Sequence, residues 1–360
     1  MTLSPVFRST TAVHLLREEG VWERLAHDIV GQARAVERLR DELPSLIDSR
    51  FTVQEDPLPG PEDVDDPRGL EFLQEFFFLI LFRSIFRTLG VSEERLSLYA
   101  ELDFCIKGTI TAADNLFDDQ SKSLLPLRSG RGSRYLSILQ LMCFERLLRS
   151  ALDRARLAGV VEQSAQISAI QKGLMTRMAE IGELEGSEEG GVEDIPSPAR
   201  MIQRVHRVRG GALFALAFVA PRILEDGDVA ARLSRAEAAV ARLGTAFQIV
   251  DDLTDFEFDV GRRSHNLLVS QVRHHGTDAE RETLKELWEG RSPVREGEVE
   301  ASFEESARTV LQGAYEEARA SFESLEELGF WFPPRLADEV VRAIVGLEGV
   351  ARMESLTAGG

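Results

Sequence analysis

The sequence has no surplus of positive charge: 42 Lys and Arg stand against 61 Asp and Glu over 360 residues, a formal net charge of −19. Binding a phosphate backbone needs a basic face, so a nucleic-acid partner and an anionic membrane surface are both disfavoured. A ligand that arrives with divalent cations stays compatible, because the cations reverse the local field. Cysteine is nearly absent. Cys105 and Cys143 both fall in apolar, helical-looking stretches and read as reduced core residues. Long hydrophobic runs are missing as well. The longest, FFFLILF (76–82) and GGALFALAFVAP (210–221), fall short of the ~20 residues a membrane span requires. The opening stretch MTLSPVFRSTTAVHLLREEG contains no apolar segment of the signal-peptide kind. The expectation is a soluble, cytoplasmic protein rather than an integral membrane protein.

Strand-like alternation is lacking too, and no internal repeat is visible. What the sequence does carry is helical periodicity. Segments 21–43, 70–90, 92–120, 135–159, 164–186, 198–224, 228–256 and 305–328 place apolar residues three and four apart with charges between them. LEFLQEFFFLILFRSIFRTLG (70–90) is apolar around most of its circumference and reads as a buried helix. Its Phe-rich stripe is plain core at helical spacing before it is a pocket lining. Three loops, at 55–69, 185–198 and 290–299, have the Pro, Gly and charge content of exposed connections. The first is a candidate boundary, but the segment before it holds only one or two helices, too few for a core of their own. The predicted architecture is therefore a single all-α domain over 1–360.

Two acidic clusters stand out. DNLFDDQ (114–120) contains Asp114, Asp118 and Asp119, and QIVDDLTDFEFD (248–259) contains Asp251, Asp252, Asp255 and Asp259. Asp114 with Asp118, and Asp251 with Asp255, are pairs four apart that share a helix face. Each pair follows a small or apolar run, GTITAA or LGTAFQIV, so each is expected at the end of a buried helix. Oxygen ligands with no His or Cys nearby favour Mg²⁺ or Mn²⁺ over zinc. Magnesium takes one or two carboxylates and completes its octahedron with water and substrate phosphate, so a diphosphate held between two such pairs is the chemistry that the spacing fits. Solvated helix ends are the competing reading of either cluster alone. An EF-hand is excluded, because Asp119 stands where its glycine belongs, counting from Asp114.

LGTAFQIVDDLTDF (243–256) resembles the second aspartate-rich motif of the polyprenyl synthetase (isoprenyl diphosphate synthase) family. DNLFD (114–118) sits where that family has DDxxD, and RVRGGALFALAFVAPRIL (207–224) is similar to its Lys-Thr helix. Asp251 lies 137 residues after Asp114, a normal spacing for the family. The resemblance covers about 70–350, leaving outside it an N-terminal helical extension (10–50) and an acidic loop (55–69). It implies the type I isoprenoid synthase fold: a single bundle of mostly antiparallel helices around a deep apolar cavity. It also implies three Mg²⁺ ions bridging an allylic prenyl diphosphate to the Asp motifs, loss of diphosphate to give an allylic cation, attack by isopentenyl diphosphate, and a homodimer. Carried onto this chain, Asp114, Asp118, Asp251, Asp252 and Asp255 match metal ligands, and Asp119 is an additional candidate. Gln248 matches the substrate-facing Gln. Arg209 falls at the Lys of the Lys-Thr pair and would grip the diphosphate. Arg262 or Arg263 takes the place of the Lys after the second motif, and Arg128 and Arg131 are candidates for the paired arginines after the first. Thr109 and Ile110 occupy the positions where bulky aromatics stop chain growth, which implies a pocket open to substrates of farnesyl length or more.

The sequence departs from the family in two places. Asn115 replaces the second Asp of the first motif. No Gly-Lys-x-x-Arg-Pro segment is present for isopentenyl diphosphate, and the corresponding region offers Arg83 and Arg87. Three readings follow: a prenyltransferase with a divergent acceptor site, a terpene synthase that works without isopentenyl diphosphate, and a weakly active or non-catalytic partner subunit that binds a prenyl diphosphate.

Overall fold

The computed structural model describes residues 10–117, 122–128, 133–343 and 347–358. The described residues form an all-α chain whose only β pairing is an isolated bridge, Thr52 to Leu127. Backbone contacts divide the described residues into two units: those within 17–172 and 216–233 form the first, and those within 10–16, 173–215 and 234–358 the second. The division falls inside three helices, α1 (Thr10–Glu18), α6 (Ser164–Gly186) and α10 (Gly227–Thr254).

The first unit is built on α2 (Val21–Leu46), α3 (Pro67–Thr88), α4 (Glu93–Phe117) and α5 (Ser133–Leu157). The acidic loop before α3 ends as its cap. Asp66 accepts from the amides of Arg68 and Gly69, and Pro67 at the first helical position has no N–H to leave unpaired. The Phe-rich stripe of α3 is core. Phe72, Phe76, Phe77, Phe82 and Phe86 are buried, and the rings run in contact from Phe76 to Phe104 (5.9 Å) and on to Phe144 (5.6 Å). At Phe76 the backbone leaves helical geometry (φ −117°, ψ 23°), and the carbonyl of Glu75 accepts from the Lys107 ammonium at 2.6 Å. Burial draws the Lys107 pKa down to about 8. Gly108 lets α4 and α5 close together, since a Cβ there would lie 2.1 Å from the Phe144 ring.

Two buried carboxylates of this unit have arginine partners. Asp28 on α2, fully buried, holds Arg87 (2.6 Å) and Arg83 (3.4 Å) of α3, and Arg83 also reaches Glu93 at 2.8 Å. Glu101 of α4 joins Arg38 of α2 and Arg154 of α5, each at 2.6 Å. Cys105 and Cys143 are buried free thiols.

The second unit contains α7 (Pro198–Met201), a π-helical segment (Ile202–Ala212), α8 (Leu213–Ala215) and most of α10. It continues through α11 (Phe256–Arg262), α12 (Leu267–His275), α13 (Asp278–Trp288), α14 (Glu298–Ser302), α15 (Glu304–Glu326), α16 (Pro334–Ala343) and α17 (Leu347–Ala358). The helix expected over 198–224 is thus five consecutive pieces, completed in the first unit by a 3₁₀ turn (Leu216–Phe218) and α9 (Val219–Leu224). The wide turns of the π segment face the glycine of α10. A Cβ on Gly210 would lie 2.1 Å from the Gly244 carbonyl oxygen, and one on Gly244 would lie 2.2 Å from that of Gly210. Only two glycines permit backbones this close.

Candidate active site

α10 carries Leu233, Ala236, Ala239, Val240, Leu243, Ala246, Ile249, Val250 and Leu253 into the core, so its polar C-terminal turns are held by a buried stem. The Gly210–Gly244 contact presses the π segment onto that stem, and Arg209 and His206 thereby reach the last turns of α10. π-helical turns recur at functional sites because they re-aim side chains within an otherwise regular helix.

Four of the expected residues, Gln248, Asp251, Asp252 and Arg209, come together here. The amide of Gln248 donates to both Asp251 (3.1 Å) and Asp252 (3.2 Å). Asp252, expected among the metal ligands, is 1% exposed, and the protein itself supplies its partners. Besides Gln248, they are His206 Nε2 at 2.8 Å and the Leu267 amide at 2.5 Å. Asn266 donates to the Asp252 carbonyl (2.6 Å) and to the Asp259 carboxylate (2.9 Å) while its own oxygen caps α12. Asp252 therefore anchors the turn after α11 to the end of α10. Asp251 is half-buried and Asp255, one turn on, is exposed.

Acidic side chains crowd the end of α10. Burial and the neighbouring charges of Asp255 and Asp252 push the Asp251 carboxyl well above the usual carboxylate range, against the opposing pull of Arg209 and Gln248. Asp259 is raised by burial first, then by Asp252. Among the described residues no three His, Cys, Asp or Glu side chains converge as a complete metal cage. This donor set suits Mg²⁺, which needs only one or two carboxylates and takes its other ligands from water and substrate phosphate.

Arg209 is not an unengaged cation. Its Nε pairs with Glu185 (2.5 Å) and its Nη2 with Glu188 (2.6 Å). Glu188 is buried and also accepts from the backbone amide of His265 (3.0 Å) and meets its ring at 2.7 Å. Neither Glu188 nor His206 was singled out by the sequence. Glu188 lies in the loop read as an exposed acidic connection, and His206 is a lone histidine on a helical stretch.

Asp114 is exposed on the last turn of α4, and Asp118 and Asp119 lie outside the described residues. Asn115 is 1% exposed and its amide closes on the backbone of Lys122. Thr109, which donates to the Cys105 carbonyl at 2.9 Å, and Ile110 are half-buried one to two turns earlier. Arg128 is exposed, with its amide on the Phe51 carbonyl (2.7 Å), and Arg131 lies outside the described residues. Arg262 lies over the Phe258 ring at 5.0 Å, and Arg263 ends α11 in the left-handed region (φ 59°) with its carbonyl accepting from Val192. Arg83 and Arg87 are committed to Asp28.

No protein-family model and no curated protein matches the chain. Solved structures do. A decaprenyl diphosphate synthase from Rhodobacter capsulatus aligns at 20% identity and a TM-score of 0.56 over 90% of this chain and 99% of that one. A polyprenyl synthetase from Streptomyces coelicolor A3(2) aligns at 16% identity and a TM-score of 0.60 over 89% and 99%. A polyprenyl synthase from Caulobacter crescentus CB15, complexed with calcium and isoprenyl diphosphate, aligns at 16% and 0.57 over 91% and 97%. The fold of this chain is the all-α fold of the polyprenyl synthases.

Proposed function

We propose that the chain is a Mg²⁺-dependent prenyltransferase that ionises an allylic prenyl diphosphate and condenses it with isopentenyl diphosphate to a longer polyprenyl diphosphate. The observation that carries this reading is the cluster of Asp251, Gln248, Asp252 and Arg209 at the end of a buried helix. It is supported by a fold shared with proteins that make polyprenyl diphosphates, one of them complexed with calcium and isoprenyl diphosphate. By the family resemblance, Asp251 and Asp255 of the second motif, and Asp114, Asp118 and Asp119 of the first, are the residues that would hold three Mg²⁺ ions. Bound Mg²⁺ supplies the charge that stabilises the departing diphosphate. Gln248 orients Asp251. Asp252 fixes the end of α10 and the turn beyond it. Arg209 offers its remaining guanidinium edge to phosphate oxygens. Arg128, Arg131, Arg262 and Arg263 are secondary candidates for contact with the diphosphates, and Thr109 and Ile110 leave room for tails of farnesyl length or more.

One observation favours a second reading, a terpene synthase that ionises a prenyl diphosphate without isopentenyl diphosphate. Arg83 and Arg87, the basic residues available for an acceptor site in α3, are tied to Asp28 and Glu93. The third reading, a non-catalytic partner, rested on Asn115, for which the structure offers a structural account. The resemblance also carries the expectation of a homodimer, and the composition that of a cytoplasmic protein. Tyr135, Ile138 and Met142 form an exposed apolar row on α5 that suits a subunit contact. Among the described residues no helix is long and apolar enough to cross a membrane.

The deciding experiment incubates the protein and Mg²⁺ with geranyl, farnesyl and geranylgeranyl diphosphate, with and without isopentenyl diphosphate, and analyses aqueous and hexane phases by mass spectrometry. Longer diphosphates that form only with isopentenyl diphosphate establish the first reading. A hydrocarbon or alcohol formed without it establishes the second. No turnover of any substrate contradicts both.

A further inference from the structure

We propose that Arg352 of α17 is a positioning residue for the second aspartate motif: it holds the joint between α10 and α11 that sets Asp255 against Asp251. The inference rests on the functional reading above, which gives those two carboxylates to Mg²⁺. In an unbroken helix, residues four apart share a face, so the helix itself would fix their relative placement. Here it does not. α10 ends at Thr254 and α11 begins at Phe256, and Asp255 between them leaves helical geometry (φ −97°, ψ 12°). The placement of Asp255 relative to Asp251 therefore depends on what fixes the joint.

The backbone of the joint is held in two ways. The Asp251 and Asp255 carbonyls accept from the amides four residues on, those of Asp255 at 2.8 Å and Asp259 at 2.9 Å. The Leu253 and Thr254 carbonyls accept from Arg352 Nη1, at 2.6 and 3.1 Å. The last carbonyls of a helix need donors from outside it, and a guanidinium also meets the negative end of the helix dipole. The same group grips the next helix. Nη1 and Nη2 donate to the two oxygens of Glu257 on α11, at 2.9 and 2.7 Å. Nε donates to Glu300 of α14 at 2.9 Å. All three nitrogens are engaged, which fixes the plane of the guanidinium. The second oxygen of Glu300 is buried without a hydrogen bond, so the paired contact is the one to Glu257. The base of the arginine is firm as well. Its side chain is 11% exposed, and Met353 and Leu356 seat α17 in the core. Phe256 is the joint's other anchor, buried against Phe303 with ring centroids 5.2 Å apart. Phe256 places the joint in the core. Arg352 ties the end of α10 to the start of α11 across it.

The affinity of the full chain for inorganic pyrophosphate in excess Mg²⁺, measured by titration calorimetry, reads the metal site without turnover. Groups that support metal-binding carboxylates from behind typically govern affinity by about 10- to 100-fold. Arg352→Gln is expected to lose about tenfold. Arg352→Lys should lose nearly as much, because one ammonium is a point charge that cannot span two carbonyls and both oxygens of Glu257. In an Asp255→Asn background neither substitution should cause a further loss, since the joint then has no second carboxylate to place. Should R352Q fail to fold, R352K gives the same cycle. Affinity in R352Q equal to the wild type overturns the proposal. So does full recovery in R352K, which would make the effect one of charge alone. So does an equal loss with Asp255 already replaced, which a merely structural arginine would give. In each of these cases a wild type that binds Mg²⁺–pyrophosphate leaves the functional reading standing. A wild type that binds none overturns that reading, and the proposal with it.

Discussion

The side chain of Asn115 grips the backbone of Lys122 from both ends: Nδ2 donates to the Lys122 carbonyl at 2.7 Å, and the Lys122 amide donates back to Oδ1 at 3.1 Å. Gln140 of α5 joins the same turn, donating to the Lys122 carbonyl and accepting from the Leu124 amide, each at 3.0 Å. An aspartate at position 115 could accept from the amide but could not donate to the carbonyl. The departure from the family motif is thus explained by the turn that follows it.

Asn115→Asp is therefore expected to weaken the protein. It would set an ionised oxygen against a buried carbonyl, at a cost of about 2–4 kcal/mol. Urea denaturation of the purified variant should show a lower midpoint, and turnover should not rise. A gain of activity without loss of stability would show that the position belongs to the metal site.

Asp251 and Asp252 should separate cleanly by substitution. Asp251→Asn is expected to abolish turnover while leaving thermal stability within about 1 kcal/mol, because its removal relieves repulsion. Asp252→Ala orphans the donors of Gln248, His206 and Leu267 in a buried setting and should cost about 3–5 kcal/mol. Thermal melts of the two variants check this, and similar melting temperatures would contradict it.

The Gly210–Gly244 contact sets the third expectation. A methyl group at either position meets backbone at 2.1–2.2 Å, where neither helix has a flexible side chain to yield. Gly210→Ala and Gly244→Ala should each destabilise by about 1–3 kcal/mol and reduce turnover, since Arg209 is displaced with the π segment. Chemical denaturation paired with activity is the check.

Asp103, on α4, is 5% exposed, and burial raises its carboxyl well above the usual range. In the folded protein it keeps a proton that the unfolded chain releases above a pKa of ~3.9. The folded state binds more protons between the unfolded and folded values, so this residue's contribution to stability falls as pH rises through that window. Asp103→Asn should be more stable than the wild type at neutral pH by about 1–3 kcal/mol, with the difference shrinking toward pH 4. Urea midpoints at a series of pH values test this, and a difference independent of pH would refute it.

The long helices were legible because their apolar spacing is strong. The segments read at 21–43, 164–186 and 228–256 coincide with α2, α6 and α10 to within about three residues. The break of 198–224 into π, 3₁₀ and α pieces was not, because its pattern suits a continuous helix and nothing in it marks the close approach of Gly210 to Gly244. The short helices α12 and α13 were missed although their caps are written in the sequence. Asn266 caps one, and Thr277 with Glu280 forms a capping box on the other. Within the candidate site, the sequence paired Asp251 with Asp255 on one helix face, but α10 ends at Thr254 and Asp255 is exposed. The different fates of Asp251 and Asp252 were not legible, because only the fold decides which of two adjacent carboxylates turns inward. Glu188 was invisible in an acid-rich loop, where nothing marks the one carboxylate that becomes buried.

The most direct test of the account is diphosphate release from farnesyl diphosphate, followed as a function of Mg²⁺ for the wild type and Asp251→Ala. The account predicts release by the wild type that requires Mg²⁺ and is lost with EDTA, and no release by a folded D251A at any Mg²⁺ concentration. Undiminished release by D251A, or none by the wild type from farnesyl, geranyl or geranylgeranyl diphosphate, would contradict it.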